Sequence, residues 1–203
     1  MNYSRFNQID SGMVISAYDR MGYTFFTKGN YNLNIFGIRN ENNPDSNGFN
    51  DLIGVLFKIN GKWNLQKYDA TVDPGTISRT NPVNSAGTAI IVPGQYRSVF
   101  KIGLHKGKYR ALVQNKPFKL YRDSDKDSSL DFDSKIVEEM AGINLHHASN
   151  TGKSKQVDNW SAGCCVIADI NDFNNFMDLV YRSSERFGNT FTFTLFTEEQ
   201  SFG

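Results

Sequence analysis

Cysteine and histidine are scarce in this 203-residue chain, with two and three residues respectively. Two cysteines do not make a disulfide scaffold. Charge of one sign is also missing: 22 Lys and Arg face 21 Asp and Glu, for a net charge of +1. A nucleic-acid binder carries a basic excess or stripe, and neither is present, so that class is set aside. No run approaches the roughly 18 apolar residues that span a bilayer, so no membrane-spanning helix is expected. The opening stretch, MNYSRFNQIDSGMVISAYDR, lacks a basic segment followed by an apolar run, and it does not read as a secretory signal. The expectation is a chain made in the cytoplasm, which needs other means to reach a substrate outside it. Repeats and low-complexity tracts are absent.

What is present points to β-structure. Hydrophobic residues make up 39% and aromatics 13%, with 16 Phe and 9 Tyr, a globular and β-leaning composition. The length allows one domain with a full core and leaves room for a small appended subdomain. YNLNIFGIR reads as a strand, followed by the polar loop NENNPDSNGFND. LIGVLFKI and KWNLQKY flank Asn60-Gly61, a dipeptide that tolerates positive φ at both positions and predicts a two-residue hairpin. TVDPGT is a turn built on Pro74 and Gly75. Three further strands are read in GTAIIVPGQYRSVFKIGLHKGKYRALVQ. Ile170, Phe173, Phe176, Met177 and Val180 recur at helical spacing, with Asn171 or Asp172 as cap and an end near Gly188. TFTFTLF then alternates, setting Phe191, Phe193 and Leu195 on one face of a final strand.

Two of the three histidines and both cysteines fall in NLHHASNTGKSKQVDNWSAGCCVIAD, residues 144–169. A zinc site separates its ligands by two or more residues, but His146-His147 and Cys164-Cys165 are adjacent pairs whose side chains diverge on an extended chain. Adjacent cysteines also suit a disulfide poorly, since neighbouring Cα atoms lie only about 3.8 Å apart. A thiol nucleophile remains. Ala162 and Gly163 leave the backbone unobstructed before Cys164, and His146 can lie across from it as base. Adjacent pairs alone leave open which His meets which Cys.

The segment resembles the catalytic motif of the YkuD-type L,D-transpeptidases. In that family a strand His is followed about eighteen residues later by the Cys of a Ser/Thr-His-Gly-Cys signature. Residues 146 and 164 are eighteen apart, and Ser161-Ala162-Gly163-Cys164 aligns with the signature. Val92 to Tyr96, VPGQY, resembles the family's Thr-Pro-x-Gly-x-Tyr segment. The resemblance covers roughly residues 85–200. It implies Cys164 as nucleophile, His146 as base, the backbone carbonyl of His147 as the group orienting the imidazole, and Ala162 and Gly163 as the oxyanion frame. It further implies acyl transfer on peptidoglycan stem peptides through a thioester, with no cofactor. Trp160, Ser161, His105 and Tyr96 are candidate substrate contacts; His105 by itself reads as an ordinary surface-turn residue.

Two positions depart from the family pattern: Ala162 replaces the signature His, and Val166 stands where a polar residue is expected. They motivate an alternative, a non-catalytic virion or surface-binding module that keeps the fold. Without an export signal, a phage-encoded cell-wall enzyme, holin-released or packaged in the virion, fits the resemblance, and cleavage is favoured over cross-linking.

Asp123, Asp125, Asp127 and Asp131 stand at positions 1, 3, 5 and 9 of a calcium-loop pattern. The Gly of position 6 is Ser128 and the Glu of position 12 is Ser134, so a solvated turn capping its own backbone is the preferred reading over a calcium site. The expected architecture is α+β and mostly β: a β-rich extension over 1–84 that belongs to the same globular unit, and a YkuD-like sandwich or barrel over 85–203 with one helix near the C-terminus.

Overall fold

The computed structural model describes residues 4–42 and 47–202. The chain opens with helices α1 (Ser4–Asn7) and α2 (Ser11–Arg20). Strands β1 (Asn34–Arg39), β2 (Asp51–Ile59) and β3 (Lys62–Thr71) and the short helix α3 (Thr76–Thr80) follow. Next come β4 (Thr88–Ile91), β5 (Gly94–His105), β6 (Tyr109–Gln114), β7 (Phe118–Asp123), β8 (Val137–Glu139) and β9 (Leu145–His147). The chain ends with β10 (Cys165–Ile167), α4 (Ile170–Phe187), β11 (Phe191–Thr197) and α5 (Glu198–Phe202).

Eight strands close a barrel in the order β1-β11-β5-β6-β9-β10-β3-β2, and β4-β7-β8 form a separate sheet. The fold is therefore mostly β with helices, and a barrel. Residues on both sides of position 84 share it. β1 runs parallel to β11, and β3 pairs with β10, so strands from both segments complete one closed sheet. Asn60 and Gly61, both at positive φ, turn the β2–β3 hairpin with Ile59 opposite Lys62.

The expectation of one helix, preceded by short strands, needs correction. Residues 11–20 are helical because the Asp10 side chain accepts from the Met13 amide and caps the first turn. This helix buries Val14, Ala17 and Tyr18 in a cluster with Phe36, Ile38, Leu56 and Phe196, on the outer side of the barrel strands. At α4 the cap is Asp169, whose side chain accepts from the Asn171 amide, rather than Asn171 or Asp172. Its apolar stripe, Phe173, Phe176, Met177 and Val180, joins the barrel core with Phe100, Leu112, Phe193 and Leu195. Each such side chain contributes about 1.5–3 kcal/mol by leaving water.

A buried ion pair joins the barrel to the small sheet. Arg39 of β1 meets Asp73 at 2.7 Å and also donates to the Ile91 carbonyl of β4 at 2.8 Å. Among the described residues no helix is long and apolar enough to cross a membrane.

Candidate active site

Parallel pairing sets Cys165 beside Leu145 and Val166 beside His146. Alternation then decides what faces what. Leu145, Cys165 and Ile167 point into the barrel core. Val166 is fully buried on the other face, in a small cluster with Phe49, Ala148 and Val157 against which Cys164 packs. His146 shares that outer face with Cys164. An apolar residue at 166 is thus a packing requirement.

The His146 ring is 3% exposed, and its Nδ1 lies 2.7 Å from the His147 carbonyl oxygen. Two lone pairs would repel at that distance, so Nδ1 carries the hydrogen and Nε2 is left as the acceptor. The Tyr109 hydroxyl oxygen lies 3.2 Å from the same Nδ1. Burial, then the neighbouring His105, hold the ring neutral and push its pKa down to about 3.

His105 is not the surface-turn residue that its local sequence predicts. It ends β5, is only 6% exposed, and stacks on His146 with ring centroids 4.0 Å apart. Asn144 fixes its tautomer: the Asn144 Oδ1 accepts from the Gln114 amide, so its Nδ2 donates to His105 Nδ1 at 3.0 Å. His147 turns its ring away, against Tyr109 and Phe173 of α4. All three histidines therefore gather at one end of the β5-β6-β9 strands.

The Cys164 sulfur accepts from the Asn144 amide at 3.4 Å and lies 3.8 Å from the Gly142 carbonyl oxygen. Burial raises its pKa, against the Asn144 amide and the Lys106 charge, which lower it. Cys164 accordingly rests as a neutral thiol and His146 as a neutral imidazole. Cys165 is fully buried and held well above the usual thiol range.

The segment before Cys164 is shaped by close backbone approaches. Gly163 sits at φ +113°, and a Cβ there would come within 2.5 Å of the Ala89 carbonyl oxygen. Gly75 donates to the Ser161 carbonyl at 3.0 Å, and a Cβ on Gly75 would strike Asp158. Asn47 accepts through its side chain from the amides of Thr76 and Asp158. The N-terminal third, whose role the sequence left blank, is what fixes the loop carrying the thiol.

Two candidate substrate contacts fall elsewhere. Ser161 is fully buried; its hydroxyl donates to the Cys164 carbonyl at 2.8 Å and accepts from the Gly163 amide at 3.1 Å. It is a loop clamp, and the Gly163 amide is engaged by it. Tyr96 lies nine residues from His105 along β5, donates to the Val92 carbonyl, packs on Phe118, and lines a separate cavity of about 480 Å³ with Lys116 and Lys119. Ala162 and Trp160 are exposed beside Cys164, Trp160 at 42%. The Cys164 amide has no acceptor among the described residues.

Sequence reasoning missed Tyr109, Asn144 and Lys106. No local signal marks them, because β5-β6-β9 pairing alone brings them to the ring. Comparison with family models, with curated proteins and with solved structures finds no match to this chain.

Proposed function

We propose that this chain is a cysteine acyl transferase of the L,D-transpeptidase kind, a divergent YkuD-type domain acting on peptidoglycan stem peptides. One observation carries the reading: His146, fixed as the Nδ1–H tautomer by the His147 carbonyl, shares an outer face with Cys164. Nε2 takes the thiol proton as sulfur adds to a peptide carbonyl carbon next to a D-residue. The oxygen gains the negative charge and is received by the free Cys164 amide. Collapse breaks the peptide bond, the imidazolium returns the proton to the departing amine, and a thioester remains. Water then hydrolyses it, or a second amine replaces the sulfur; hydrolysis is the favoured outcome. Delivery in a virion, or release through a holin, belongs to the same proposal.

The raised pKa of Cys164 favours one rival, a non-catalytic virion or surface-binding module. Incubating the protein with purified sacculi and muropeptides, with product masses as readout, decides between them. Wild type should release or exchange a D-residue, and Cys164→Ser should not. Equal turnover by the Ser variant refutes the assignment, and no product from wild type supports the module.

A further inference from the structure

The acidic segment after β7 is the solvated, self-capping turn that its sequence predicts at all but one of its carboxylates. Asp125 and Asp127 do cap their own backbone, accepting from the amides of Asp127 at 3.0 Å and Ser129 at 2.6 Å. Asp123 does not. It is the last residue of β7, paired with Thr88 of β4, and its side chain is 0% exposed. Neither of its carboxylate oxygens has a hydrogen-bond partner among the described residues.

A buried carboxylate without a donor is costly, and native structures resolve such groups with a partner or an ion. Here the surroundings add charge of the same sign. One ligand oxygen from each of Asp123, Asp125 and Asp131 lies within 4.8 Å of the others. Asp127 stands beside them as a further negative charge, and the buried Arg79 supplies the opposing one. One guanidinium against three neighbouring carboxylates leaves net negative charge around a concealed anion.

The donor set decides the chemistry. Only hard oxygens are offered, with no imidazole or thiolate, which selects calcium or magnesium over zinc and copper. Oxygens on opposite sides of a calcium shell stand about 4.6–5.2 Å apart, which accommodates the spacing seen here. Asp123 is anchored on a strand while Asp125 and Asp131 sit on irregular chain. Calcium tolerates such uneven geometry, completed by water and carbonyls, whereas magnesium demands a near-ideal octahedron.

We propose that Asp123, Asp125 and Asp131 hold a calcium ion, with the Asp127 charge beside them. The site is separate from the thiol yet mechanically near it. A Cβ on Gly87 would meet the Asp123 carbonyl oxygen at 2.3 Å, while two residues on, the Ala89 carbonyl packs against Gly163. Strand β4 thus touches both the acidic segment and the loop that presents Cys164.

The test uses the full chain, stripped with EDTA and titrated with calcium chloride by calorimetry, with thermal unfolding alongside. One equivalent should bind with Kd on the order of 10⁻⁴ M, the range of weak extracellular sites. At a hundredfold excess over Kd, Tm should rise by about 5–10 °C. Asp131→Asn and Asp125→Asn, at partly and fully exposed positions, should weaken binding at least tenfold. Asp123→Asn should abolish binding yet leave the metal-free protein as stable as wild type or more so, because it removes the buried charge. No heat and no Tm shift at about 10 mM calcium, unchanged affinity in Asp131→Asn, or tighter binding of magnesium would each overturn the proposal.

Discussion

The imidazoles of His105 and His146 stack with centroids 4.0 Å apart and planes 27° from parallel. Two positive charges at that separation repel by about 4 kcal/mol even in an effective dielectric of 20. Burial is the larger penalty for each charged ring, joined by Lys106 and His147 at His105 and by His105 at His146, so both are kept neutral, His105 with its pKa down at about 4 and His146 at about 3. His105 is therefore a positioning residue for His146: it makes the base reluctant to hold a proton before substrate arrives.

This neutrality sets a pH dependence of stability. On acidification the unfolded chain protonates its histidines near 6.5, while folded His146 resists until about 3. The contribution is fully present above 6.5 and is lost progressively as pH falls below it. At pH 5 the loss from His146 approaches about 2 kcal/mol. Asp51 works in the opposite direction: burial and Asp73 raise its carboxyl to about 7, so its contribution is present at low pH and disappears as pH rises through 7. Urea unfolding of wild type and His146→Gln at pH 7 and pH 5 separates the two. The wild type should lose about 2 kcal/mol more than the variant over that interval, and equal losses would contradict a ring held neutral.

The thiols should differ sharply in reactivity. Cys164 is partly exposed and Cys165 is fully buried, and burial raises the pKa of both. Iodoacetamide, read out by fragmentation mass spectrometry, should label Cys164 in the native protein and Cys165 only after unfolding. Because the resting sulfur is a thiol, the Cys164 rate should keep climbing past pH 9. Lys106→Gln should move the profile to still higher pH, since that cation lowers the sulfur's pKa. A rate already saturated at pH 6 would mean a thiolate–imidazolium pair and a different starting point for the chemistry.

What the sequence disclosed followed the range of each interaction. The Asn60-Gly61 hairpin, the α4 stripe and the alternation of β11 depend on neighbours within a few residues, and all are legible locally. Helix α2 is poorly marked because the β-branched Val14 and Ile15 have low helix propensity, although Asp10 three places before Met13 is a cap signal. The placement of His105 rests on the local β5–β6 hairpin, where it pairs with Tyr109, and on Leu112 pairing with Leu145, a long-range register that no local pattern encodes. Asp123 looked like one more turn carboxylate until its pairing with Thr88 drew it inside. Ser161 was misread for the same reason: the motif shows its proximity to Cys164 but not the direction of its hydroxyl.

That direction yields the most local prediction. Ser161→Ala removes the acceptor of the Gly163 amide and the donor to the Cys164 carbonyl, leaving two backbone groups unpaired at a buried site. The cost should be about 1–3 kcal/mol, read from urea unfolding. Gly163→Ala acts on the same loop by another route, since φ +113° and the 2.5 Å approach to the Ala89 carbonyl force the backbone to move. Both variants should keep the barrel's far-ultraviolet circular dichroism and slow alkylation of Cys164, Gly163→Ala the more severely. The hydroxyl clamp and the glycine conformation together hold the Cys164 sulfur beside the Asn144 amide and the Gly142 carbonyl. Alkylation of Gly163→Ala at the wild-type rate would show that the sulfur is presented by strand β10 alone.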